Sequence, residues 1–432
     1  YRKYLNKLDT QFNLWVHSNR ALKTALDIRL NSAENAFFKT QASDGPLTIP
    51  GLSGDIQLHG YQRAFVRKIA ARFNGINSFD VGLGKSFTAL ASVQYAQAIG
   101  AKKKTVFVVP KSVITNWVKE ANRLFSADVA NDILVVGAVE KKGKLDVDSK
   151  RFDADLQRIA DNVHSKIFMT AEAFQRIRIR EEDVKEYLDA MRLNDRDAYG
   201  DKISDADSNR VESRLYAIEK ILTEDGKSDG APYWHTLGID SVVFDEMHVN
   251  KNAVIAIGVR GAKFLSLPPA SKKAVDVMCK TWLIRRDHGS GVLGLTATPI
   301  TNSPLEIYGM MSIVEGMDAV NDACGVAGPG DFIKESVIVE NRAELGVDGE
   351  ERMMDVFVGL KNTQVLARLV RGVCDIKTTA DAGNIVQPDS EEVVQGVPLD
   401  NDTDRQLRRM ILAYQIMQGA VDAGPEIPEH VA

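Results

Sequence analysis

The chain has 432 residues, enough for a large core and for two or three structural units. Its 44% hydrophobic and 26% charged residues are ordinary for a globular protein, and no apolar run approaches the roughly 18–20 residues of a membrane span, so no membrane partner is expected. A net charge of −5 excludes a surface that is basic throughout, but leaves room for a local basic groove on an acidic body.

The chain opens on Tyr1-Arg2-Lys3-Tyr4, with neither a Met nor an apolar signal core, and reads as an interior piece of a longer polypeptide. Apolar residues at helical spacing (Ala21-Leu22, Ala25-Leu26, Ile28) predict a helical N-terminal extension over about 1–50, with a stop at Ser43-Asp44-Gly45-Pro46. From about 51 to 316 the pattern changes. Short β-branched runs, Thr105-Val106-Phe107-Val108-Val109, Lys166-Ile167-Phe168-Met169, Ser241-Val242-Val243-Phe244 and Gly291-Val292-Leu293-Gly294-Leu295, alternate with helical stretches. Continuous apolar strands separated by helices predict an α/β fold, a parallel sheet with helices on both faces. Residues 176–232 interrupt the rhythm with charge and a helical beat, and predict a helical insertion ending in a loop at 225–230. Residues 317–432 read as mostly helical, with a strand or linker at 393–399 and a helix over 404–417.

Polar residues begin where the runs end: Pro110-Lys111-Ser112, Thr170-Ala171-Glu172, Asp245-Glu246 and Thr296-Ala297-Thr298-Pro299. In an open parallel sheet, ligands bind beyond the carboxyl ends of the strands. Asp80-Val81-Gly82-Leu83-Gly84-Lys85-Ser86, followed by the helix-forming run Phe87-Thr88-Ala89-Leu90-Ala91, has the chemistry of a phosphate cradle. Glycines let backbone N–H groups turn inward, the helix N-terminus adds positive potential, the lysine neutralises phosphate and the serine hydroxyl can hold magnesium. Phe79 stands where the eight-residue form of this pattern has its first glycine, so the loop alone is a moderate signal. The apolar strand that delivers Asp245 and Glu246 strengthens it: Asp245 would hold Mg2+, and Glu246 would orient and deprotonate an attacking water.

In this order the segments resemble superfamily-two helicases, and most closely the Swi/Snf-like translocases. Leu58-His59-Gly60-Tyr61-Gln62 is similar to the glutamine motif that reads adenine. Asp80 to Ser86 matches the first helicase motif; Val108-Val109-Pro110-Lys111-Ser112-Val113-Ile114-Thr115-Asn116-Trp117 and Met169-Thr170-Ala171-Glu172 match segments that meet the DNA backbone in the family. Asp245-Glu246-Met247-His248 with Lys251-Asn252 resembles its acidic box, and Leu295 to Asn302 its third motif. A narrower likeness, carried by Pro50-Gly51-Leu52-Ser53, Ala270-Ser271-Lys272-Lys273-Ala274 and Glu306-Ile307-Tyr308, is to large phage and plasmid proteins that join an adenine-methylase-like domain to a helicase, including DarB-type antirestriction proteins.

The resemblance implies a RecA-like ATP-binding lobe that hydrolyses ATP with Mg2+ to move on DNA, double-stranded in preference. It implies nucleotide contacts from Gln62, Gly82, Leu83, Gly84, Lys85, Ser86 and Phe87, metal ligation by Ser86 and Asp245, and catalysis by Lys85, Asp245 and Glu246. It further implies DNA contacts from Lys111, Ser112 and Thr170, and coupling of the ATP site to DNA through His248, Thr296 and Thr298. Expected partners are a second helicase lobe and a methylase domain from the same longer chain, and the expected compartment is the cytoplasm, reached from a virion. His59-Gly60 replaces the family's usual Arg-Pro, Ala297 its usual Gly, and residues 317–432 hold no second-lobe motif; Arg408-Arg409 reads as surface charge. Gln62 has a rival reading as a helix cap, and Trp117 reads as a packing anchor rather than a base-stacking group. The three cysteines, Cys279, Cys324 and Cys374, and the seven scattered histidines show no metal-ligand spacing. For the whole chain the alternatives are a catalytically idle, virion-internal module of helicase fold and the motor subunit of a restriction enzyme.

Overall fold

A computed structural model describes residues 42–381 apart from 142–143, 148, 195–204, 224–230, 255–258, 260, 266, 268, 300–302 and 346–350. The predicted N-terminal extension up to residue 41, the insertion's closing loop, the segment 393–399, the helix 404–417 and Arg408-Arg409 lie outside the described residues.

In chain order the first part runs α1 (Gly60–Arg72), β1 (Asn74–Phe79), α2 (Lys85–Ala98), β2 (Thr105–Val108), α3 (Ile114–Leu124), α4 (Ala127–Asn131) and β3 (Ile133–Val135). A small antiparallel ribbon, β4 (Ala138–Lys141) and β5 (Lys144–Val147), precedes α5 (Phe152–Ala160), β6 (Lys166–Met169) and α6 (Ala171–Arg176). The predicted insertion contains two helices, α7 (Glu181–Asn194) and α8 (Asp205–Thr223). Then come β7 (Ser241–Phe244), α9 (Lys272–His288), β8 (Val292–Leu295), α10 (Pro304–Glu315), α11 (Met317–Cys324) and α12 (Pro329–Ser336). A two-stranded sheet, β9 (Val337–Leu345) with β10 (Glu351–Leu360), is followed by α13 (Thr363–Val373) and β11 (Cys374–Lys377).

Seven strands form one sheet in the order β11-β1-β8-β7-β2-β6-β3, and every neighbouring pair is parallel. This is the parallel α/β sheet expected from the apolar runs, in the RecA-like form that the resemblance implies. Strands β2, β6, β7 and β8 are buried along their whole length, as strands covered on both faces must be. Their registers set Val108 beside Met169 and Phe244, and Phe244 beside Gly294, so the four strands end level with one another.

Local chemistry marks the helix starts. Ser271 accepts from Ala274 N at 3.1 Å to begin α9, and Ser303 with Pro304 at the first position begins α10. Residues 50–53, ahead of α1, are tied to the same body: Gln94 Nε2 donates to Pro50 O at 2.7 Å, and Ser53 N to Leu124 O at 2.8 Å.

The sequence reading closes the lobe near 316, but the sheet takes one further strand, β11, from beyond that point. The described residues divide into two compact units, one within 42–339 and 357–381, the other within 340–356. Within the second, the described residues belong to β9 and β10, where Asn341 Nδ2 donates to Asp355 Oδ1 at 3.0 Å.

Candidate nucleotide and metal site

The phosphate loop leaves β1 and enters α2. Gly82 and Gly84 hold φ of 87° and 75°, a left-handed backbone that costs a glycine nothing. At Gly84 a Cβ would also stand 2.6 Å from Gln62 Nε2, so the glutamine amide would have to shift to admit a side chain. Lys85, Ser86 and Phe87 form the first turn of α2, all half-buried, with Leu83 buried beneath them. The Lys85 ammonium donates to Phe79 O at 2.9 Å and Asp80 O at 3.2 Å, which folds it back over the loop. Burial lowers its pKa, opposed by the negative charges of Glu246, Asp245 and Asp80. The lysine-bearing turn and the acidic pair therefore share one electrostatic environment although 160 residues separate Lys85 from Asp245.

Gln62 is buried and doubly engaged: Oε1 accepts from His59 N at 2.9 Å, and Nε2 donates to Leu83 O at 3.3 Å. The first contact closes a capping box at the start of α1. The second, with the Tyr61 hydroxyl donating to the same carbonyl at 3.1 Å, fastens the glutamine motif to the phosphate loop. Both the capping reading and a position against the nucleotide loop are thus realised in one side chain. Tyr61 also stacks on His59, with ring centroids 5.5 Å apart.

Asp245 follows β7, with its backbone N donating to Val108 O at 2.9 Å. Burial raises its carboxyl pKa, opposed first by a hydrogen bond from Trp117, whose Nε1 donates to Oδ2 at 2.9 Å. Trp117 is buried, as its reading as a packing anchor requires, and its ring packs against Phe107 and Phe168. The hydrogen bond to Asp245 was not foreseen. Glu246 sits in the left-handed region at φ 50°, unusual for a residue with a side chain, and is exposed. Its carboxylate lies 3.3 Å from His248 Nδ1, and the same nitrogen lies 3.1 Å from Thr296 Oγ1. Thr296 Oγ1 in turn accepts from Thr298 N at 3.1 Å. Glu246, His248, Thr296 and Thr298 thus form a continuous polar chain between the ends of β7 and β8.

Of the expected DNA contacts, Lys111 and Ser112 are exposed on the turn after β2. Thr170 is placed differently: it is 4% exposed and its hydroxyl accepts from Ala173 N at 3.2 Å as the N-cap of α6. Its hydroxyl oxygen thus serves the helix start at the end of a buried strand. A cleft lined by Pro110, Lys111, Glu172, Asp245, Asn250 and Lys273 joins these turns to the acidic pair.

The site also includes residues that the motifs alone did not single out. Asp80 Oδ2 accepts from Thr379 N at 2.9 Å, just beyond β11, which ties the phosphate loop to a segment almost 300 positions later. Glu120 lies on α3 three positions after Trp117, and its Oε1 accepts from Asn116 Nδ2 at 3.1 Å. Among the described residues no cluster of three or more His, Cys, Asp or Glu side chains could hold a metal by itself, and no helix is long and apolar enough to cross a membrane.

Comparison with known proteins shows what parts of the chain are similar to. Residues 11–194 match the SNF2-related domain. Over 98% of its length the chain is 30% identical to Defense against restriction protein B of Escherichia phage P1, of which it spans 20%. An 87-residue stretch, 19% of the chain, is 32% identical to 9% of the SWI/SNF-related matrix-associated actin-dependent regulator of chromatin subfamily A containing DEAD/H box 1 homolog of Caenorhabditis elegans. Among solved structures, the SWI2/SNF2 ATPase core of Sulfolobus solfataricus in complex with dsDNA aligns with 78% of this chain and 47% of its own at 14% identity and a TM-score of 0.41. The likeness these comparisons show is to the SNF2-related domain, over residues 11–194.

Proposed function

We propose that this chain is the nucleotide-binding lobe of an ATP-driven motor that moves on double-stranded DNA, working in phage antirestriction. The observation that carries the reading is the proximity of Lys85 to Asp245 and Glu246 at the carboxyl edge of the sheet. Triphosphate would lie on residues 82–87, where Lys85 would exchange its two loop carbonyls for phosphate oxygens. Ser86 and Asp245 would hold magnesium, a hydroxyl and a carboxylate being the oxygen donors that ion takes. When bound, magnesium neutralises charge on the phosphates and orients them. Glu246 would hold and deprotonate the attacking water, and His248 would relay its state through Thr296 and Thr298 toward the DNA side. Gln62 would meet the adenine by giving up its bond to Leu83 O.

Lys111 and Ser112 would contact backbone phosphates, which position a strand without reading sequence. An arginine from a second lobe would complete charge stabilisation, a contribution of roughly 10³–10⁵ in rate. A methylase domain is a further proposed neighbour, the phage relative being five times as long as this chain. The test is nucleotide binding and turnover by the 432 residues, parent against Lys85→Ala. The reading requires Mg2+-dependent ATP binding that Lys85→Ala abolishes, with slow turnover. Binding that survives the substitution would leave a scaffold of helicase fold as the better description.

A further inference from the structure

Asp80, the first residue of the phosphate loop, is held from three directions. Its backbone N donates to Lys377 O at 2.9 Å, which carries the pairing of β1 with β11 one residue past Phe79. Its Oδ2 accepts from Thr379 N at 2.9 Å and from Thr379 Oγ1 at 3.3 Å. Its carbonyl closes the loop, accepting from Leu83 N at 3.2 Å and from the Lys85 ammonium at 3.2 Å. One residue thus seats the lysine on one side and takes the turn after β11 on the other. That turn clasps itself. Asp381 Oδ2 accepts from Thr378 N at 2.9 Å and from Thr378 Oγ1 at 2.8 Å, and Asp381 N donates back to Thr378 O at 3.1 Å. A carboxylate that gathers two donors within four residues fixes their backbone, so Thr379 N meets Asp80 in a set direction. Asp381 is exposed, and the clasp draws on no buried packing.

We propose that the turn 378–381 is a positioning element of the phosphate loop that responds to nucleotide: through Thr379 it fixes Asp80, and through the Asp80 carbonyl it fixes the seat from which Lys85 turns to phosphate. A phosphate cradle works only while its backbone N–H groups are held in place. Both carbonyls under Lys85, Phe79 O and Asp80 O, belong to residues paired with the end of β11, so a lysine that moves to phosphate acts on backbone that β11 and its turn restrain. Coupling of this kind is reciprocal. If an intact turn favours nucleotide, then nucleotide favours the intact turn by the same factor, about 5–150-fold where two sites communicate.

This inference rests on the proposed nucleotide site, and the experiment separates the two. Amide hydrogen exchange of the full chain is followed with and without a saturating fluorescent ADP analogue and Mg2+, at residues 81–90 for the site and 377–381 for the turn. Both segments should slow, the turn by about fivefold or more. Asp381→Ala opens the clasp without touching the loop. It should weaken binding of the analogue by about fivefold or more while leaving the melting temperature unchanged, which a merely structural role would not do. In an Asp80→Ala background the same change should add nothing, because the two residues act as one unit. A turn that does not respond while residues 81–90 slow, an unchanged affinity in Asp381→Ala, a further loss in the Asp80→Ala background, or a parallel fall in affinity and melting temperature each overturns the role of the turn and leaves the nucleotide site standing. A parent chain that does not bind the analogue overturns the underlying site, and the inference with it.

Discussion

Trp117 Nε1 and Asp245 Oδ2 lie 2.9 Å apart, joining a helix after β2 to the acidic turn after β7. The indole is anchored in the core between Phe107 and Phe168, so the donor it presents is fixed. Burial alone would make Asp245 a poor anion, and this bond opposes that tendency before any charge does. Trp117→Phe keeps an aromatic ring against Phe107 and Phe168 and deletes the donor. A hydrogen bond to a charged group contributes about 1.5–3 kcal/mol, so Mg2+-nucleotide affinity should fall by roughly 10–100-fold. Isothermal titration checks this. An affinity within twofold of the parent would show that the bond does not organise Asp245.

Gly84→Ala tests the junction between the glutamine motif and the phosphate loop. A left-handed φ costs an alanine roughly 1–2 kcal/mol, and the new Cβ would stand 2.6 Å from Gln62 Nε2. The amide must move, and its bond to Leu83 O goes with it. The expected outcome is nucleotide binding weakened by at least about tenfold with only a modest fall in stability, since the loop and not the core is displaced. Retained binding, measured by fluorescence titration, would mean that loop and glutamine are not mechanically linked.

The turns after β2, β6, β7 and β8 were legible because each follows a buried strand whose apolar run is continuous, and the loop at 80–86 through its own Gly-x-Gly-Lys-Ser pattern. β2, β6, β7 and β8 all announced themselves in this way, and the polar residues after them fall at one sheet edge. β1 and β11 did not. Asn74-Gly75-Ile76-Asn77-Ser78-Phe79 carries polar groups into the sheet, where Asn77 Oδ1 accepts from Phe79 N at 3.1 Å. Cys374-Asp375-Ile376-Lys377 is a four-residue edge strand, half of it charged, and lacks the continuous apolar run that marks the buried strands. Because β11 was missed, so was the bond from Thr379 to Asp80, and with it the attachment of the phosphate loop to the chain's later part. A family motif marks Thr170 as a DNA contact; the structure adds that, as first residue after a strand and before a helix, it caps α6.

The cysteines give a test in solution. Burial pushes Cys374 from an ordinary 9.0 up to about 12, and Cys324 from 9.0 up to about 11. Cys279 is buried. Both shifted thiols have folded values above unfolded ones, so each favours the native state fully below pH 9.0 and loses that contribution as pH rises toward its folded value. Between these limits the unfolded chain sheds the proton and the folded one keeps it. At pH 8, far below either folded value, the native chain should react with an aromatic disulfide reagent many times more slowly than the chain in guanidinium. Equal rates would place the thiolates within reach of solvent and contradict their burial.

Lys104 offers a control in which stability and site separate. It stands just before β2, at the amino end of the sheet, and is 4% exposed. Its ammonium donates to Ile159 O at 2.5 Å, Leu237 O at 2.6 Å and Asn162 Oδ1 at 2.7 Å, joining the end of α5 to the approach of β7. Burial lowers its pKa, and the charge of Asp240 holds part of that back. Lys104→Met retains the stem and strips two buried carbonyls, Ile159 O and Leu237 O, and the part-buried Asn162 Oδ1 of their donor, each buried loss costing about 1–3 kcal/mol. Urea unfolding should therefore show a destabilisation of about 3 kcal/mol or more. Nucleotide affinity, measured below the new midpoint, should stay close to the parent's, since the strand's other end bears the site. A loss of affinity without a loss of stability would instead place Lys104 in communication with residues at the far end of β2.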